Sequence, residues 1–120
     1  MTDHFKNYIN GKWMDAMSGE TFESINPSSI SEVVGIFPRS GKADVDNAVC
    51  SALSAFSEWK NTSPVERCNI IRRAGRIMEV KKSELAAVIS KENGKTVKSA
   101  LGDVQSGIDM ACFVAGEGRR

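Results

Sequence analysis

The sequence predicts an α+β chain, with a hairpin and short strands followed by about four helices. Three observations carry this expectation. Turn dipeptides crowd the first third of the chain. Apolar residues there alternate with polar ones. From about residue 42 the apolar spacing changes to steps of three and four. Strands are expected over about 5–38 and helices over about 42–118, with 1–120 forming one unit of ordinary domain size.

The first strand reads Phe5-Lys6-Asn7-Tyr8-Ile9 and turns at Asn10-Gly11 into Lys12-Trp13-Met14. Asn-Gly suits the tight hairpin turn, which needs positive φ at both central positions. Ser18-Gly19 marks a second turn. Thr21-Phe22-Glu23-Ser24-Ile25 alternates as a half-buried strand does, and Asn26-Pro27 ends it because proline cannot donate a ladder hydrogen bond. After the loop Ser28-Ser29-Ile30-Ser31, Val33 to Phe37 reads as another strand, stopped by Pro38.

Asp44 is expected to cap the first helix. Its stripe is Val45, Ala48, Val49, Ala52, Phe56 and Trp59. Ser63-Pro64-Val65-Glu66 is a full helix start: Ser63 caps, Pro64 suits the first turn and Glu66 closes a capping box. Cys68, Ile71, Ala74, Ile77 and Met78 are the expected buried stripe of that helix. Lys81-Lys82 suits a helix end and Ser83 a new start, with Leu85, Ala86, Val88 and Ile89 apolar and Gly94 suited to the left-handed residue after the helix. Thr96 then starts a helix striped by Val97, Ala100, Leu101, Val104, Ile108, Ala111, Cys112 and Ala115.

Composition excludes several classes. Hydrophobic residues at 41% and charged residues at 26% fit neither a disordered chain nor a membrane-spanning one. A net charge of +1 lacks the broad positive field of a nucleic-acid binder. No apolar run approaches the roughly 18 residues of a membrane span. The expected partners therefore include no nucleic acid and no membrane. The polar opening residues do not resemble a secretion signal, so a cytoplasmic location is expected.

Cys50, Cys68 and Cys112 are odd in number and far apart, and His4 is the only histidine, near an N-terminus expected to fray. This fits neither a disulfide framework nor a zinc site. The cysteines read as small buried hydrophobes in a reducing compartment.

Gly94-Lys95-Thr96 resembles the end of a phosphate-binding loop, but Ile89 stands where that motif needs its first glycine. A helix end followed by a new helix explains all three residues. Arg72-Arg73 and Glu117-Gly118-Arg119-Arg120 read as solvated faces or internal ion pairs. Carboxylates are scattered, with no close pair set for acid–base work. From the residues alone, no active site is visible in the chain.

The ordered segments nevertheless resemble the N-terminal part of the NAD(P)-dependent aldehyde dehydrogenase superfamily. Tyr8-Ile9-Asn10-Gly11-Lys12-Trp13 is similar to its opening hairpin, and Ser18 to Pro27 to its SG-x-T-F-x-x-x-NP segment. Ala43 to Val49, Ala55-Phe56, Trp59, Pro64-x-Glu66-Arg67, Glu92 to Lys95 and Ala115-Gly116 follow in family order.

This resemblance implies an α/β parent enzyme that oxidises an aldehyde substrate to a carboxylic acid with NAD or NADP. A cysteine thiolate would attack the aldehyde, a hydride would pass to the nicotinamide, and a Glu-activated water would hydrolyse the thioester. The family's nucleophile, base, oxyanion donor and dinucleotide glycines lie downstream of this region. No catalytic or cofactor-binding residue is therefore expected here, and the chain alone is expected to be inactive. It would be a shortened chain, an incomplete reading frame or a genuine short protein. The parent is expected to be a homodimer or homotetramer.

Two site residues carry over for a structural Na⁺ or K⁺: the Ile25 carbonyl and Glu92, the latter equally readable as an exposed helix-end residue. Ser106 is similar in position to a residue facing the aldehyde tunnel, and reads otherwise as surface polar. The alternative reading of the whole chain is a stand-alone small helical interaction module or an inactive remnant.

Overall fold

Asn10 and Gly11 take φ values of 52° and 74°, the left-handed pair that a tight hairpin requires. They join β1 (Asn7–Ile9) to β2 (Lys12–Met14) in register, with Tyr8 opposite Trp13. The two rings meet at 4.9 Å between centroids. This is a computed structural model that describes residues 2–118.

A second antiparallel pair joins β3 (Thr21–Ile25) to β4 (Val33–Pro38). The ladder slips at Ser24/Ile25, where a bulge brings Ile25 opposite Val33. Pro38 was expected to stop the strand but is its last residue, opposite Thr21. The Arg39 N–H donates to Glu20 at 2.8 Å, so by ladder alternation Pro38 needs no donor toward β3. The first strand begins at Asn7 rather than Phe5 because residues 3–5 pair elsewhere. Ile36 N–H donates to the Asp3 carbonyl and Phe5 N–H to the Ile36 carbonyl, both at 2.9 Å. This forms a parallel bridge between His4 and Ile36, so the segment expected to fray is tied down.

Among the described residues four helices follow: α1 (Lys42–Trp59), α2 (Pro64–Val80), α3 (Lys82–Asn93) and α4 (Val97–Glu117). Gly41, not Asp44, occupies the cap position of α1. Asp44 sits one turn in, and its carboxylate accepts from the Gly41 N–H, the acidic half of a capping box. The box expected for α2 is present, with Ser63 accepting from Glu66 N–H and Glu66 accepting from Ser63 N–H. Ser83 does not start α3. Lys81 ends α2 and begins α3, donating to the Ile77 carbonyl and accepting from the Leu85 N–H. Gly94 ends α3 at φ 66°, and Thr96 caps α4 by accepting from Ser99 N–H.

The chain packs as two compact units, Met1–Asn61 and Thr62–Arg120. In the second, Ala86, Ala100, Val104 and Ile108 form the buried cluster, flanked by Met78, Leu85, Ile89 and Leu101. The α2 face turned inward differs from the expected stripe. Ala74 and Ile77 are exposed, while Gly75 is buried, where an added Cβ would lie 3.2 Å from the Ala111 Cβ. Close approach of α2 and α4 selects the small residue, which a reading of apolar positions overlooks.

In the first unit the expected α1 helix forms, but its apolar stripe is uncovered. Phe56 is 56% accessible, Val45, Val49 and Trp59 are also exposed, and so is Leu53 outside the expected stripe. The cysteines are free and not buried as expected: Cys50 and Cys112 are exposed and Cys68 is half-buried. They occupy helix faces that this chain leaves partly open.

Candidate functional site

The polar groups that the fold buries are structural in their geometry. Asn26 is 8% accessible and organises the β3–β4 connection. Its side-chain oxygen accepts from Ser28 N–H at 3.0 Å, while its amide nitrogen donates to Glu32 at 2.8 Å. Its backbone N–H and carbonyl engage the Glu32 carbonyl and the Ser29 N–H. This is an Asx-type turn, which explains why Asn precedes Pro27.

Asp44, 6% accessible, accepts from Gly41 N–H and Met17 N–H, each at 2.8 Å. The Gly41 bond first, and then the Met17 bond, hold its carboxyl below the usual value by stabilising the charged form. It ties the 15–19 turn to the start of α1. Sequence reasoning placed Asp44 at the helix start but gave no signal for its reach to Met17.

The site residues expected from the resemblance fall on exposed element ends and faces. Ile25 closes β3 in the first unit. Glu92 is exposed in the last turn of α3 in the second. Around that turn Asn93 donates to the Ile89 carbonyl at 3.2 Å and Ser90 to the Lys95 carbonyl at 2.6 Å. Ser106 is exposed on α4, its hydroxyl donating to the Gly102 carbonyl at 3.1 Å. Among the described residues no group of three or more His, Cys, Asp and Glu side chains could hold a metal ion.

A depression of about 790 Å³ on the second unit is lined by Thr62, Glu66, Asn69, Ile70, Arg73 and Arg76, among others. Its carboxylate, Glu66, is engaged by Ser63. Of the arginine pair, Arg72 donates to the Ala115 carbonyl at 3.3 Å, so it links α2 to α4 inside the molecule. Both Arg72 and Arg73 line the open depression. Arg119 and Arg120 lie outside the described residues. Lys95, in the segment resembling a phosphate loop, pairs with Asp103.

A dinucleotide does not fit the residues present. Both sheets are antiparallel pairs, and among the described residues no strand feeds a helix that returns to a parallel neighbour. The positive-φ glycines, Gly11, Gly19 and Gly94, serve turns and a helix end. Among the described residues, no helix is long and apolar enough to cross a membrane.

The sequence model of the aldehyde dehydrogenase family matches residues 13–120, nearly the whole chain. The chain belongs to the aldehyde dehydrogenase family. An alpha-ketoglutarate semialdehyde dehydrogenase of Haloferax volcanii is 43% identical over 110 residues, covering 92% of this chain and 23% of that protein. A malonate-semialdehyde dehydrogenase of Shouchella clausii is 40% identical, covering 92% of this chain and 22% of its own length. The crystal structure of an NAD-dependent aldehyde dehydrogenase from Sinorhizobium meliloti superposes with a TM-score of 0.92 at 30% identity. It covers 98% of this chain and 24% of that one. The chain thus spans about a quarter of the length of these relatives. As an aldehyde dehydrogenase segment, its hairpin, α+β order and four helices correspond to one continuous stretch of a larger fold.

Proposed function

We propose that this chain is the N-terminal part of an enzyme that oxidises an aldehyde to a carboxylic acid with NAD or NADP, and that it is inactive alone. One observation carries the reading: similarity over 92% of the chain maps onto only 23% of a semialdehyde dehydrogenase. In the whole enzyme a cysteine thiolate from another part of the sequence attacks the aldehyde carbonyl, and water later releases the acid. Residues 2–118 contribute scaffold to that enzyme. Ser106 faces the aldehyde entrance, and the Ile25 carbonyl and Glu92 help hold Na⁺ or K⁺. The exposed positions of Ser106 and Glu92 are compatible with these roles. The assembly is a homodimer or homotetramer in the cytoplasm, with neither nucleic acid nor membrane as partner. The names of two relatives make a semialdehyde bearing a carboxylate the first substrate to test.

The test compares the purified 120-residue chain with the product of the complete reading frame, each given malonate semialdehyde and NAD or NADP. Nicotinamide reduction is expected only from the longer product. Turnover by the 120-residue chain above a no-enzyme control overturns the reading. The accessible apolar face of α1 favours a second reading, a small interaction module. A stop codon after Arg120, together with a monomer in light scattering that binds no apolar dye, favours the module.

A further inference from the structure

The depression on the second unit brings three guanidinium groups of α2 together. Arg76 follows Arg72 by four residues and Arg73 by three, so it is a helix-surface neighbour of both. Like charges at these spacings destabilise a helix unless a counter-charge lies between them. Among the described residues no ion pair engages Arg72, Arg73 or Arg76. The unit that holds them has eleven lysines and arginines against seven aspartates and glutamates, so it is the basic half of the chain.

The nearby carboxylates do not supply that counter-charge. Glu66 lies about two helical turns from Arg73, roughly 10 Å along the axis, and accepts from the N–H and hydroxyl of Ser63. Glu79 lines a smaller hollow that Arg72 and Arg76 also border, but it is paired with neither. Arg72 is held in place. Its Nη2 donates to the Ala115 carbonyl at 3.3 Å and its Nη1 to Asn69 Oδ1 at 3.5 Å. A guanidinium has five N–H donors, so these bonds orient the group and leave donors to spare. Arg73 and Arg76 are exposed. Ile70, 42% accessible, supplies apolar surface in the same depression.

We propose that this depression binds the phosphate group of a small organic phosphate. A carboxylate is matched by one guanidinium through two parallel hydrogen bonds. A phosphate ester carries nearly two negative charges and three free oxygens, enough to share among three guanidiniums. Arg72, Arg73 and Arg76 hold the phosphate, which relieves their mutual repulsion, and the organic part lies over Ile70. The volume of about 790 Å³ falls within the roughly 300–1,000 Å³ of small-molecule sites. The proposal does not depend on the aldehyde dehydrogenase reading.

Calorimetric titration of the 120-residue chain tests it, with phenyl phosphate as the probe and sodium chloride holding ionic strength constant, since salt screens exposed charges. Saturable binding is expected. Inorganic phosphate, which lacks the apolar part, should bind more weakly, and malonate, a dicarboxylate, more weakly than phenyl phosphate as well. Arg76→Gln should weaken phenyl phosphate binding about tenfold, because hydrogen bonds to a charged group are lost. Arg73→Gln should act in the same direction. Arg67→Gln removes the same charge from α2 outside the depression and should change binding less than about twofold. Circular dichroism without ligand checks that each variant folds, and if Arg76→Gln does not, Arg73→Gln decides. Absence of saturable binding overturns the proposal. So does inorganic phosphate or malonate binding as tightly as phenyl phosphate, or an equal loss in Arg67→Gln and the depression variants.

Discussion

The two units differ in the chemistry of what they bury. Among the described residues of Thr62–Arg120 the buried side chains are Ala86, Ala100, Val104, Ile108 and Ala115, all apolar. In Met1–Asn61 they are Ala16 and the polar pair Asn26 and Asp44. A fully buried side chain of the size of Val104 or Ile108 stabilises by about 1.5–3 kcal/mol, whereas a typical hydrogen bond nets about 0.5–1.5 kcal/mol. The second unit therefore has cohesion of its own. The first has defined geometry, set by Asn26, Asp44 and the strand ladders, but leaves the apolar face of α1 in solvent. Order and cohesion come from different atoms, and here they are divided between the halves.

Substitutions can break this contrast. Both tryptophans, Trp13 and Trp59, lie in the first unit, so their fluorescence reports on it. Helical circular dichroism is dominated by the second, which holds α2, α3 and α4. The largest effect is expected for Ile108→Ala, about 3 kcal/mol of destabilisation from lost burial and a cavity, read by circular dichroism in urea. Phe56→Ala on the open face of α1 should stay within about 0.5 kcal/mol. Comparable losses for the two would show that α1 is covered in solution.

Next in size is Asn26→Ala, at about 2 kcal/mol, because it removes the hydrogen bonds that the Asn26 side chain makes with the Ser28 N–H and the Glu32 carboxylate. Tryptophan fluorescence in urea checks it. An unchanged midpoint would mean that this turn does not hold the first unit together.

Acid titration sharpens the comparison further. The Asp44 carboxyl is lowered in the folded chain from its ordinary 3.8. Its stabilising contribution is thus complete above that value and is lost as pH falls through the lowered folded value. Asp44→Asn should flatten the fluorescence-detected acid transition below about pH 4. An acid profile identical to that of the unchanged chain would remove Asp44 from the account.

The smallest effect is expected for Glu92→Gln in the complete enzyme. If Glu92 holds Na⁺ or K⁺, melting temperature should rise less with that ion in the variant, since an ion bound only by the folded state adds about RT ln(1 + [L]/Kd). Exchange against a bulky organic cation at fixed ionic strength keeps screening constant. Equal melting shifts would leave Glu92 as a solvated helix-end residue.

Local rules were legible wherever a short stretch decides the structure. Asn10-Gly11, Ser63 to Glu66, Gly94 and Thr96 each do what their residue types dictate. What escaped depends on partners distant in sequence. The bond from Met17 to Asp44 spans 27 residues, and residues 3–5 reach Ile36. Gly75 is selected by Ala111 on another helix. Burial was overestimated for the cysteines and for α1 because periodicity reveals an apolar face without revealing whether this chain covers it. Of the candidate site, the family motifs were readable in order, but Ile25, Glu92 and Ser106 have no local chemistry that singles them out.

The junction at Lys81 has a mechanical consequence. Its N–H closes the last turn of α2 and its carbonyl opens the first turn of α3, so no spare residue lies between the two helices. A corner without slack behaves as a bracket rather than a joint. Changing the angle between its arms means breaking a helical hydrogen bond on one side or the other. A torque applied to α2 is therefore delivered to α3 as rotation, instead of being absorbed in a loop.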